Sequence, residues 1–169
     1  MKIKCILMIL CFSTIGQAFD HRHENAHEHG SGNLGIAFEG AVGKMDFKIP
    51  SESIFGFEHE AKTEKQKSAQ KAGLKALSEK IESLIVFDPA LKCKVSIDKV
   101  EVVREKKSSH SETVAAYGVK CDKSPLGTGL IFNFQKEYPK IKDLDVEVVV
   151  DNLQKSMEVK NLGAKLELK

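Results

Sequence analysis

The chain has 169 residues, with 26 lysines and arginines against 24 aspartates and glutamates, six histidines, four cysteines and no tryptophan. Lys2 and Lys4 account for the whole basic excess. Once they are set aside the charges balance, which leaves no electrostatic case for nucleic-acid binding.

Residues 1–18 read as a secretory signal peptide and not as part of the fold. Lys2 and Lys4 give a positive start, Cys5 to Ile15 a mostly apolar core too short to cross a bilayer, and Gly16 and Ala18 the small residues that a signal peptidase selects. The bulky Leu10 ahead of Cys11 argues against a lipoprotein signal. The mature chain is expected to begin at Phe19, with about 150 residues, enough for one domain with its own core. No later stretch is apolar enough to span a membrane.

Residues 19–33 are polar, rich in histidine and without apolar period, the pattern of a disordered, flexible arm. Order is expected from Leu34, in a single domain covering 34–169. Leu34, Ile36 and Phe38 alternate with Gly35, Ala37 and Glu39, and Met45, Phe47 and Ile49 alternate after the Gly40–Gly43 turn, which predicts a hairpin ended by Pro50. Ser51 to Glu60 reads as a connection whose Ile54, Phe55 and Phe57 pack down on the core and hold His59 near the protein body. Thr63 with Gln66 three residues on has the capping-box form, and Leu74, Leu77, Ile81, Leu84 and Ile85 recur at helical spacing, which predicts one long helix with a solvated lysine face.

Cys93, Val95, Ile97, Val100 and Val102 predict a strand, and Val114 to Cys121 its partner. Arg104 to His110 would form the hairpin end, which sets the two cysteines opposite each other within disulfide reach. In an exported chain, two remaining cysteines are most simply one disulfide between Cys93 and Cys121; a thiolate metal site or a redox pair is the alternative, and it lacks C-x-x-C spacing. Further strands are expected at Leu130–Phe134, Val146–Asp151, Ser156–Val159 and Ala164–Leu168, with Tyr138-Pro139 breaking the chain after one helical turn. The sum is an α+β domain: one long helix packed on a mostly antiparallel sheet.

The histidines carry the chemistry. His21, His23, His27 and His29 crowd the arm, and His59 and His110 follow in the domain. Neutral imidazole suits zinc, copper or nickel. His21/His23 and His27/His29 are spaced two apart and point one way in an extended segment, whereas His23 and His27 share a face of a helical turn. A flexible arm loses entropy on binding, so a site is strengthened if His59 or His110 adds ligands and Glu58 or Glu60 braces them. His23-Glu24-Asn25-Ala26-His27 spells H-E-x-x-H, but no apolar period flanks it to build the rigid helix a zinc protease needs. A chain starting Phe19-Asp20-His21 could also offer its amine, two amides and His21 to copper(II) or nickel(II). Ser51, Ser53, Ser111 and Ser124 lack the pattern of a nucleophile elbow, and no phosphate-cradling glycine loop is present, so no enzyme is expected. An exported interaction domain with incidental histidines is the competing class.

Several segments resemble one family. H-E-H-G at His27–Gly30 followed by L-G-I-A-F-E-G, the I-P-S-E-S-I-F-G-F-E-H run to His59, K-C-K-V around Cys93, H-S-E-T-V-A-A-Y-G-V-K-C from His110 to Cys121, D-L-D-V-E-V-V-V and the closing L-E-L-K are together similar to the ZrgA-type zinc-uptake accessory proteins. The resemblance implies a periplasmic, non-membrane-spanning protein that binds zinc and assists uptake beside an ABC-type importer. Many members carry a long His- and Asp-rich insertion between the cysteine strands; here that place holds only Arg104 to His110. Lower zinc capacity is implied, and the arm and His59 become the main candidates.

Overall fold

The computed structural model describes residues 30–104 and 110–169. The expected signal peptide, the arm as far as His29 and the hairpin tip at 105–109 lie outside the described residues. Alternation of apolar and polar residues builds the first hairpin as expected, from β1 (Ser31–Glu39) and β2 (Val42–Pro50), with Gly40 in the left-handed region (φ 58°) at its turn. β1 starts at Ser31, three residues ahead of Leu34, because its first backbone groups pair in parallel with Asp143 and Leu144. Apolar pattern cannot mark such a start, since Ser31, Gly32 and Asn33 contribute backbone and not hydrophobic side chains.

The long helix is corrected in its extent. α1 (Ser51–Phe55) is a single turn in the expected connection, with Ile54 and Phe55 buried as foreseen. α2 (Glu64–Glu79) carries the complete capping box at Thr63 and Gln66. It stops six residues short of Ile85, the end of the apolar period. Lys80 leaves the helical region (φ −111°, ψ 5°), and a separate turn, α3 (Ile81–Leu84), feeds β3 (Ile85–Phe87). Ile81 and Leu84 keep their core contacts across the break, so the spacing survives although the helix does not. The run Ile85-Val86-Phe87 is β-branched and aromatic, and it finds a partner strand.

That partner belongs to a second sheet that the sequence reading did not contain. β6 (Gly129–Phe132) lies between β3 and β9 (Ala164–Glu167), all antiparallel. Phe134, expected in the strand, instead opens α4 (Phe134–Glu137), the helical turn ahead of Tyr138-Pro139. The larger sheet adds β4 (Lys94–Arg104), β5 (Ser111–Lys120), β7 (Asp143–Val150) and β8 (Leu153–Glu158) to the first hairpin, in the order β4-β5-β2-β1-β7-β8. Among the described residues, only the β1–β7 pair is parallel. The protein is therefore mostly β, with short helices and a mixed six-stranded sheet.

The inner face of that sheet carries Leu34, Ile36, Met45, Phe47, Tyr117, Val146 and Val148, all buried. It packs on Leu77 of α2, α3, β6 and α4. Phe47 stacks on Phe134 at 5.2 Å, and Tyr117 donates its hydroxyl to the Leu77 carbonyl at 3.1 Å. Those contacts hold the helical layer against the strands that carry the candidate ligands.

The β4–β5 hairpin forms with the predicted opposition of cysteines. Lys94 pairs Lys120, and the next residue outward on each strand, Cys93 and Cys121, forms a disulfide with an S–S distance of 2.04 Å. A register shift between Ile97 and Lys99 inserts one residue, Asp98. The sequence already carried this bulge: the apolar positions are odd at 93, 95 and 97 and even at 100 and 102. Such a change of parity is what an extra residue in one strand produces.

Candidate metal centre

β2 ends at Pro50, and α1 follows at once, closed by Gly56 in the left-handed region (φ 96°). Glycine occupies that conformation without strain. It turns the chain so that Phe57 packs edge-on against Phe55, with ring centroids 4.8 Å apart. The expectation that these aromatics anchor the connection on the core is met, and it fixes where the next residues go.

Glu58-His59-Glu60 run past the turn end of the β4–β5 hairpin. The Ser111 hydroxyl donates to the Glu58 carbonyl at 2.6 Å, and the Arg104 guanidinium donates to the His59 carbonyl at 3.3 Å. Arg104 and Ser111 are the last rung of the hairpin, so both of its strands grip this segment. Ser111 itself is buried, and next to it Ser51 and Thr113 share a buried hydroxyl pair at 3.1 Å. The serines screened as nucleophiles thus include two that tie this corner together.

The side chain of Glu58 meets His110. Its Oε2 accepts from the imidazole Nδ1; the Glu58 side chain is 11 % exposed and that of His110 53 %. His110 does lie at the exposed edge of the hairpin end, as its lysine- and serine-rich context suggested, but its ring is oriented by a nearly buried carboxylate. With Nδ1 committed, the nitrogen that would meet a metal is Nε2. A carboxylate on the far nitrogen of a histidine is the arrangement that fixes tautomer and ring direction at metal sites.

His59 is held differently. Its ring stacks on Phe57 with centroids 5.0 Å apart. Its Nδ1 lies 2.9 Å from the Glu60 carbonyl, which can only accept, so Nδ1 carries the proton. The Nε2 lone pair then accepts from the Gln66 amide at 3.4 Å. The capping box fixes that amide's direction, because the Gln66 Oε1 accepts from the backbone N–H groups of Lys62 and Thr63. The His59 ring is therefore turned toward the start of α2, and a metal there would have to displace the Gln66 amide.

Among the described residues, no group of three His, Cys, Asp or Glu side chains converges closely enough to hold a metal ion. Glu58 and His110 are brought together, and His59 follows Glu58 in the chain with its ring directed elsewhere. His21, His23, His27 and His29 lie outside the described residues, as do the H-E-x-x-H match and the copper-type terminal site. The cysteines are spent in the disulfide. Tyr117 and Tyr138 are not ligands either: burial pushes both phenols well above their ordinary range, and their hydroxyls donate to the carbonyls of Leu77 and Gly73.

The Glu58–His110 contact joins positions 52 apart, and no periodicity reports such a pairing. The available signal was the motif pair: G-F-E-H and H-S-E are two of the segments on which the family resemblance rested, and they meet.

A mostly β domain that braces a histidine with a carboxylate is the class of protein the fold and site define. The family model described as ZrgA family zinc uptake protein matches residues 26–168. The chain belongs to that family. No match was found among curated proteins. Among the described residues no helix is long and apolar enough to cross a membrane.

Proposed function

We propose that this chain is an exported, non-catalytic zinc-binding protein of the periplasm that assists zinc uptake beside an ABC-type importer. Its ion is held by histidines of the segment ahead of β1, His21, His23, His27 and His29, together with His110 and with help from His59. Zinc is its cargo.

The observation that carries this reading is where the Glu58–His110 pair lies relative to the entry of the chain into the fold. β1 begins, β2 ends and β5 begins at one end of the large sheet: Asn33 pairs Lys48, and Pro50 pairs Glu112. Two strand spacings, about 10 Å, separate β1 from β5 there. His29 and His27 precede Ser31 by two and four residues. Backbone dimensions give the longer of these a reach of about 13 Å. His27 can meet His110 at the sheet end on that reach, which would complete the ligand set that the described residues do not supply alone. Four ligands are usual for a held zinc ion, and three with an open position for one that is exchanged.

Ordering four backbone residues at about 1–2 kcal/mol each lowers the net binding energy of such a site. A structural zinc site gives about 10–16 kcal/mol. The difference leaves an affinity moderate enough for release to a transporter.

Calorimetric zinc titration of the full mature chain tests the reading. The H21A/H23A/H27A/H29A variant and the H110A variant should each bind at least about tenfold more weakly than the parent, and binding should fade as pH falls through the histidine range. If both variants match the parent, the protein is an interaction domain with incidental histidines.

A further inference from the structure

Glu58 is fixed at two points. Its backbone carbonyl accepts from Ser111 at 2.6 Å, and its carboxylate accepts from Nδ1 of His110, the residue immediately before Ser111. The Ser111 hydroxyl is buried, and the carboxylate is only 11 % exposed. A nearly buried carboxylate is costly unless a donor answers it. Here the donor is an imidazole whose side chain is about half exposed. The neighbouring caps use groups already engaged: the Gly56 N–H donates to the Glu52 carbonyl at 2.9 Å at the end of α1, and the Gln66 side chain is used by the α2 cap and His59. Among the described residues, the donor that answers the Glu58 carboxylate is His110.

We propose that Glu58 is a positioning residue: it holds His110 in the Nδ1–H tautomer, so that the histidine binds zinc through Nε2. This rests on His110 being a ligand, as argued above. The carboxylate fixes the direction of the imidazole and removes its rotational freedom before the metal arrives. His59 has the same arrangement with a weaker acceptor, the neutral Glu60 carbonyl, and the opposing Gln66 amide lowers its readiness to bind. The two histidines of the domain are thus unequal, and His110 is the stronger.

The experiment uses the full mature chain and zinc alone as probe, with calorimetry and long-range proton–nitrogen correlation of the histidine rings. Glu58→Gln should weaken zinc binding about 10- to 100-fold, the usual range for loss of an outer carboxylate. Its amide spectrum should stay that of the parent, because the Ser111 bond goes to backbone. Glu58→Asp should restore part of the affinity. In a H110A background, Glu58→Gln should have no further effect, since a positioning group acts only through the residue it positions. Zinc should perturb Nε2 of His110 and leave Nδ1 protonated.

Three results would overturn the proposal: unchanged affinity in Glu58→Gln, an equal loss in the H110A background, or zinc bound at Nδ1 between the ring and the carboxylate. A different result, H110A binding zinc as the parent does, removes His110 from the site and so fails the functional reading itself.

Discussion

Replacing both Cys93 and Cys121 with alanine is expected to remove about 3.6 kcal/mol of stability. The bridge spans a sequence separation of 28. In the chain-entropy picture that separation corresponds to about 12 cal/mol/K withheld from the unfolded state, hence the figure at 25 °C. Cys121 is 6 % exposed and packs with the core, so its truncation adds up to about 1 kcal/mol. With a urea slope of about 2 kcal/mol/M, the unfolding midpoint should fall by about 2 M. The chain has no tryptophan, so circular dichroism and the fluorescence of its two tyrosines are the probes. The slope should also rise, because an unbridged unfolded chain exposes more surface. The disulfide closes the end of the β4–β5 ladder away from His110, across the ten residues of β5 or about 30 Å. Zinc affinity of the folded variant should therefore equal that of the parent. A midpoint shift under about 0.5 M would refute the entropic argument, and a parallel loss of zinc binding would refute the independence of the two ends.

Two further outcomes follow from the packing. Gly73 faces α1, where an added Cβ would meet Ile54 Cγ2 at 2.9 Å and the Ile54 carbonyl oxygen at 3.0 Å. Alanine gains about 1 kcal/mol in helix propensity, but overpacking against backbone costs about 1–3 kcal/mol. Gly73→Ala should thus lower the calorimetric melting temperature, and a rise would show that α1 shifts freely. Burial holds the phenols of Tyr117 and Tyr138 protonated to higher pH than usual, and for Tyr138 the charge of Glu137 adds to the effect. The folded state therefore keeps protons that the unfolded chain releases from about pH 10 upward, so stability present below pH 10 is lost as pH rises, by at most about 2.7 kcal/mol per unit for the pair. Urea unfolding at pH 9 and pH 11 should show the loss, and the Y117F/Y138F double variant should flatten it.

Local pattern was enough for the first hairpin, the capped start of α2, the β4–β5 pair with its opposed cysteines, and the short turn before Tyr138. These elements are determined by side-chain period, by caps and by loop length, all of which are written within a few residues. The family was likewise legible, because its segments recur in order along the chain. The sequence offered Glu58 or Glu60 as a brace, but neither the carboxylate nor the ring beside it could be chosen.

What only the tertiary structure decided depends on distant partners. Helical spacing continues to Ile85, yet the chain leaves the helix at Lys80, because Ile85–Phe87 gains a strand partner in Leu130–Phe132. Two strands of the second sheet, near Leu130 and Ala164, were legible as strands, but segments of three or four residues are too short to show which sheet they join. The parallel pairing of β1 with β7, which starts the sheet at Ser31, depends on backbone groups that carry no side-chain signal. Glu58 finds His110 for the same reason: a charged pair is selected by where the folded backbone brings two residues, and sequence spacing does not encode that distance.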